Sequence, residues 1–322
     1  MIEVENLTKT YGSKKAIADL SFSVPDGQVT GFLGPNGSGK STTMRCMLGL
    51  DTPSSGSVRF TGAVDGKSYD SDFSKLPNKS RVAGAILDAN WFTPKRSGYG
   101  HLSVLAASGG IPQSRVAECL DLVGMTAVAK KPMKSYSLGM KQRINFAAAL
   151  LGDPQHLLLD EPVNGLDPEG VRWLRDTIRF LASQGRAVLV SSHLLNEMQL
   201  TADRLVVIGR GQLLGEYSMQ EFLAGNAAVI VECPEHVRLT ALLQNAGYRV
   251  NTSSKAASQI EVEISEEQNE AAARADIAGL ALANGLPITQ LYTQTVGLEE
   301  TFLKLTGASQ EYSTAQVDGG QN

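Results

Sequence analysis

At 322 residues the chain is too long for one domain of ordinary size and long enough for two. Its 42% hydrophobic and 19% charged residues exclude a wholly disordered chain, and a net charge of −4 gives no ground for nucleic-acid binding. No apolar run reaches the roughly 18 residues of a membrane span, and the acidic, alternating start Met1–Glu5 does not read as a secretory leader. These features point to a soluble, cytoplasmic protein. Cys46, Cys119 and Cys233 are widely spaced and form no CxxC pair. They are expected as buried or idle thiols, without a disulfide framework or a zinc site.

In chain order, Ile2–Leu7 and Leu20–Val24 alternate with period two, the pattern of half-buried strands. Val29–Leu33 is a short apolar strand running into a glycine-rich turn, and Ser41–Leu50 reads as the helix after it. Val82–Leu87 is a further apolar strand. From Trp91 to Leu151 the spacing is helical, with helices over His101–Ser108, Arg115–Val123 and Lys141–Leu151. Leu157–Leu159 is a strand core. Pro168–Gln184 is an amphipathic helix with proline at its start and Gly185 after its end. Ala187–Ser191 and Leu205–Ile208 are buried strands. Strands joined by helices predict a largely parallel, covered sheet.

The composition then changes. Residues 225–322 hold 5 Lys+Arg against 12 Asp+Glu, whereas residues 1–224 hold 24 against 21. This places a boundary near Gly225. Strands at Ala228–Cys233, Tyr248–Thr252, Ile260–Ile264 and Ile288–Tyr292, with helices at Val237–Asn245 and Glu266–Asn284, give the order β-α-β-β-α-β. That order predicts a small α+β, ferredoxin-like module over 225–307. A short helix, Leu298–Leu305, follows, and the polar segment 308–322 reads as a disordered tail.

Gly34-Pro35-Asn36-Gly37-Ser38-Gly39-Lys40-Ser41 fits GxxxxGK[ST] between a strand and a helix. Glycines let the backbone curl so that successive N–H groups face an anion. The helix that follows adds the positive end of its dipole. Lys40 can reach the β and γ phosphates of a nucleoside triphosphate, and the Ser41 hydroxyl can ligate Mg²⁺. Thr42, next in the helix, is assigned to the same nucleotide site. Asp160 and Glu161 follow Leu157–Leu159 directly. In an open α/β sheet the carboxyl ends of strands are where ligands bind. Asp160 suits the Mg²⁺ shell, and Glu161 suits the general base for an attacking water.

With these ordered motifs, residues 1–224 resemble the ATP-binding subunit of an ABC transporter, of the exporter type tied to drug, antibiotic-peptide or bacitracin resistance. The resemblance implies an α/β, P-loop ATPase domain with a helical subdomain at about 91–151. It implies that Tyr11 stacks on adenine. It makes Tyr136-Ser137-Leu138-Gly139-Met140 an altered form of the family's LSGGQ signature, whose Ser137, Leu138, Gly139 and Met140 face the ATP of a second copy. Asn164 and Asp167 fall in the loop linking two sites of a dimer. His193 matches a histidine that contacts γ-phosphate. Asp88 stands where the family has glutamine, as a third candidate Mg²⁺ ligand.

The resemblance further implies a head-to-tail homodimer that closes on ATP. It implies coupling to an integral-membrane permease from the inner face of the cell membrane, through a groove between Asp88 and His101 with Trp91, Phe92 and Tyr99 as anchors. The terminal segment Gly297–Gly307 also resembles such exporters, and the C-terminal module is expected to be regulatory or dimer-stabilising. Two other readings stand beside this one: a non-transport ABC ATPase, and an ATP-controlled ligand-sensing module. One phosphate loop, no sustained heptads and no basic patch speak against the first.

Overall fold

The computed structural model describes residues 1–88, 92–192, 195–224, 227–251, 259–264 and 269–295, together with Phe302 and Leu305. The chain forms two compact units, Met1–Glu216 and Tyr217–Leu305.

The first unit opens with β1 (Ile2–Tyr11), β2 (Lys14–Val24) and β3 (Val29–Leu33), then α1 (Lys40–Met47). β4 (Ser55–Val64), β5 (Lys67–Ser71), the short α2 (Lys79–Val82) and β6 (Ala83–Ile86) follow. Next come α3 (Gly98–Ser108), α4 (Ser114–Leu122) and α5 (Leu138–Leu150). β7 (His156–Leu159), α6 (Pro168–Ser183), β8 (Ala187–Ser191), α7 (Leu195–Thr201), β9 (Arg204–Gly209) and β10 (Gln212–Ser218) complete it.

A six-stranded sheet has the order β10-β9-β3-β8-β7-β6. β9, β3, β8, β7 and β6 run parallel in successive pairs. Every residue of β3, β7 and β8 is buried, as expected of parallel strands covered on both faces. A second, antiparallel sheet, β2-β1-β4-β5, packs against this one. Phe22 and Phe32 stack across the shared core at 5.2 Å. β4 and β5 were not anticipated from the sequence. β5 is largely exposed, so it carries no hydrophobic period. In β1 the alternation Ile2, Val4 passes to Leu7 rather than Asn6. A register shift between Val4 and Leu7, with Asn6 at φ +47°, turns Leu7 into the core.

Capping fixes the helices that matter for function. Ser97 accepts a hydrogen bond from the Gly100 amide at the start of α3, and Ser137 accepts one from Met140 at the start of α5. Asp167 caps α6 with Pro168 in the first turn. The apolar stripe of α6 is Leu174, Ile178, Leu181 and Ala182, at helical spacing.

The second unit contains α8 (Met219–Ala224), β11 (Ala227–Glu232), α9 (His236–Asn245), β12 (Val250–Asn251), β13 (Gln259–Glu263), α10 (Glu270–Ala283) and β14 (Gln290–Thr295). Its antiparallel sheet has the order β12-β13-β11-β14, the arrangement of a split β-α-β. Val229, Val231, Ile260 and Val262 pack on Leu239, Leu243 and Ile277 of the two helices. Most of the expected helix 298–305 and all of the tail 308–322 lie outside the described residues. The three cysteines are buried free thiols.

His156 begins β7 fully buried, its Nε2 3.0 Å from the Tyr69 hydroxyl and its ring edge-on to Phe60. Burial, with a smaller effect of the N-terminal charge, pushes its pKa down to about 3. The folded protein therefore holds it neutral, whereas the unfolded chain takes up a proton below the ordinary 6.5. Its contribution to stability is full above that value and is lost as pH falls towards 3. His156→Gln is expected to flatten this acid limb. In thermal unfolding series, the wild-type Tm should fall more steeply with acid than that of the variant, and parallel curves would contradict the assignment.

Candidate functional site

β3, β8, β7 and β6 end on the same edge of the parallel sheet. Phe32 pairs with Ser191, Leu159 with Val190, and Ile86 with Leu159. Gly34, Asp160 and Asp88 follow within two residues of these pairs. The register alone thus gathers the phosphate loop and the carboxylates.

The loop is held by close approach. A side chain at Gly34 would meet the Ile208 carbonyl at 2.6 Å, and one at Gly39 would meet the Ala16 carbonyl at 2.8 Å. Gly39 is also at φ +106°, so only glycine fits there without strain. α1 begins at the next residue. Lys40 is buried, and its Nζ donates to the carbonyl of Gly34 at 2.6 Å and of Pro35 at 3.2 Å. Burial lowers its pKa, and Glu161 and Asp160 oppose the shift.

An open cavity of about 430 Å³ is lined by Tyr11, Asn36, Gly37, Gly39, Lys40, Ser41, Thr42, Asp160 and Glu161. Lys14, Lys15, Ala16 and Arg210 complete the wall. The cavity thus joins Tyr11, Asn36, Gly37 and Gly39–Thr42 to the two carboxylates, without Gly34, Pro35 and Ser38 of the expected loop, and adds four residues that the sequence motifs do not include. The buried hydroxyl of Ser191 ties the two acids together. It donates to Asp160 Oδ1 at 2.5 Å and accepts from the Glu161 amide at 2.9 Å. Glu161 sits at φ +48°, a left-handed conformation that a glutamate rarely takes. Ser41 and Asp160 offer a hydroxyl and a carboxylate on one cavity. No group of three metal-binding side chains occurs among the described residues. This donor set fits Mg²⁺, which keeps several waters and shares substrate phosphates with one or two carboxylates.

Tyr11 stands at the cavity rim, 48% exposed. Its hydroxyl donates to Asp51 Oδ2 at 2.8 Å, and Arg45 Nε donates to the same oxygen at 2.7 Å. The Arg45 bond, then the Tyr11 bond, hold the Asp51 carboxyl down at about 2. Lys9 Nζ lies 4.7 Å from the ring centroid. A cation on one face of a fixed ring leaves the other for a stacked base.

Among the described residues, Asp88, Ser137, Leu138, Gly139, Met140, Asn164 and Asp167 do not line this cavity. Ser137 and Leu138 open α5, with Leu138 45% exposed. A side chain at Gly139 would approach the Gly165 carbonyl at 3.3 Å, and the Gln142 amide donates to the Asn164 carbonyl at 3.5 Å. The Ser137–Met140 segment therefore packs on the Asn164–Asp167 loop of the same chain. Tyr136 is buried and donates to the Val128 carbonyl at 2.9 Å. Gly98 leaves room for it, since a side chain there would meet the Tyr136 hydroxyl at 2.8 Å. The tyrosine thus serves the core of the helical subdomain. Asp88 is exposed at the end of β6. Phe92 lies under Lys141 Nζ at 5.1 Å, and Tyr99 accepts a hydrogen bond from Gln113 at 3.2 Å. His193 and Trp91 lie outside the described residues.

Residues 17–164 match the family model described as ABC transporter. The uncharacterized ABC transporter ATP-binding protein YhcH of Bacillus subtilis is 34% identical, over 97% of each chain. The bacitracin transport ATP-binding protein BcrA of Enterococcus faecalis is 33% identical, over 95% of this chain and 96% of its own. A solved dimeric bacterial ABC transporter cassette, MJ0796, shares the fold with a TM-score of 0.59 at 22% identity, over 68% of this chain and 99% of that one. With its phosphate loop and paired carboxylates on one cavity, and relatives matched along nearly its whole length, the chain belongs to the ATP-binding proteins of ABC transporters and is an ATP-binding cassette ATPase.

Proposed function

We propose that this protein is the ATP-hydrolysing subunit of an exporter for a drug or antibiotic peptide, working with Mg²⁺ as a head-to-tail pair beneath an integral-membrane permease. The observation that carries the ATPase chemistry is the meeting of Lys40, Ser41, Asp160 and Glu161 in one cavity at the strand ends. The exporter assignment is supported by the likeness to a bacitracin transport protein, which runs through the second unit as well as the first. No described helix is long and apolar enough to cross a membrane.

In this mechanism the loop amides and Lys40 hold the triphosphate. Ser41 and Asp160 would hold Mg²⁺, which would supply neutralisation of the triphosphate's charge. Ser191 keeps Asp160 turned towards the cavity and Glu161 at a fixed height beside it. The Glu161 carboxylate takes a proton from the attacking water. The water oxygen bonds to the γ-phosphorus as the bond to the bridging oxygen breaks, releasing ADP. Tyr11 supplies the base platform.

Ser137–Met140 lies off the cavity of its own chain, so it is available to the ATP of a second copy. The solved relative is a dimeric cassette, which supports this pairing. Asn164 and Asp167 then lie beside the signature and carry the state of one site to the other. Tyr99, Val104, Leu105 and Leu122 of the helical subdomain are exposed apolar side chains, suited to a partner at the inner membrane face.

Glu161→Gln is expected to bind ATP normally and to lower turnover at least about 10²-fold, the usual scale for losing a general base. The same variant should form an ATP-dependent dimer by light scattering. Hydrolysis at the wild-type rate would remove Glu161 from the role. Asp88→Ala is expected to keep ATP affinity and to lower Mg²⁺-dependent turnover or its coupling to transport. If both survive unchanged in reconstituted vesicles, Asp88 has neither function.

A further inference from the structure

Among the described residues, seven that are not glycine have positive φ: Asn6, Asp19, Asp65, Asn78, Asp153, Glu161 and Arg210. Five of these are Asn or Asp, whose short polar side chains tolerate the left-handed region. The two that are not, Glu161 at +48° and Arg210 at +49°, both line the nucleotide cavity. Strain of this kind persists where the surrounding structure fixes it, and it concentrates at functional sites.

The turn that carries Arg210 is tied to the phosphate loop. The Gly211 amide donates to the Ser38 carbonyl at 2.9 Å, and the Ala18 amide donates to the Gly211 carbonyl at 2.8 Å. Gly211 has no room for a side chain, since one would meet the Ala16 carbonyl at 2.5 Å. The β9–β10 turn, the β1–β2 hairpin and the phosphate loop are therefore braced at one junction. This fixes the backbone of the turn beside the cavity that Arg210 lines.

Charge gives the turn a purpose. The cavity wall holds four cations, Lys14, Lys15, Lys40 and Arg210, against Asp160 and Glu161. Cations gathered on one wall suit an anionic ligand such as a nucleoside triphosphate. A planar guanidinium is suited to phosphate oxygens.

We infer that Arg210 is a nucleotide-binding residue, held at the cavity by the strained β9–β10 turn to contact the phosphates of the bound nucleotide. The inference rests on the ATP-site reading above and adds a contact from outside its motifs.

Glycine is the informative substitution, because it removes the guanidinium and relieves the strain together. R210G is expected to raise Tm while weakening MgATP binding about tenfold by titration calorimetry, the scale of one charge-assisted hydrogen bond. Adenosine binding should not change, and R210K should recover most of the MgATP affinity. MgATP affinity in R210G within about twofold of wild type would overturn the inference. So would an equal loss for adenosine, or a Tm and an affinity that fall together, which would make Arg210 a structural brace. If the wild-type chain fails to bind MgATP, the ATP-site reading itself falls, and this contact with it.

Discussion

The Ser191 hydroxyl is the contact on which the chemistry of this protein depends. It is buried at the end of β8, between the strand that launches the phosphate loop and the strand that ends in the carboxylates. By donating to Asp160 and accepting from the Glu161 backbone, it sets the direction of one acid and the position of the other. The bond to Asp160 runs from a buried hydroxyl to a carboxylate at the cavity wall, and hydrogen bonds to a charged acceptor are stronger than neutral ones. The bond from the Glu161 amide holds the backbone where Glu161 takes a positive φ, a conformation that costs on the order of 1 kcal/mol or more.

Three fully buried parallel strands make this possible. Because β3, β7 and β8 are covered on both faces, their register cannot slip without exposing apolar side chains. Residues distant in sequence are thereby held together at one edge. The loops at that edge do the chemistry, while the strands beneath them carry no charge. Lys40, folded onto the carbonyls of its own loop, and the two acids facing it show how tightly opposite charges are packed there.

Much of this was legible in the sequence, for physical reasons. Val29–Leu33 and Ala187–Ser191 match the observed strands end for end, because fully buried strands are unbroken apolar runs. The glycine pattern and the acids after Leu159 named the cavity from its composition. The antiparallel strands β4 and β5 were not legible, since glycines interrupt β4 and β5 is short, polar and largely exposed. Ser191 was legible only as the last residue of a buried strand. Lys14, Lys15 and Arg210 belong to no motif and reach the cavity through hairpin turns whose path only the tertiary fold defines. The positive φ of Arg210 left no trace in sequence, because arginine does not favour that conformation. The altered signature was legible as a departure, and its reason was not. Tyr136 fits because Gly98, far away in sequence, gives it space.

The second unit shows the opposite balance. Its β-α-β-β-α-β order was readable from hydrophobic runs, and its sheet order follows that of a split β-α-β. The central claim is that the ATPase of the first unit drives a membrane-spanning partner. The most direct measurement is to tag the full chain at its N-terminus, solubilise membranes gently, and identify what co-purifies. The account predicts a multi-spanning protein in stoichiometric amount, which raises ATP turnover when the two are reconstituted together. A soluble assembly with no membrane protein in it, hydrolysing ATP at the same rate alone, would contradict the transport assignment.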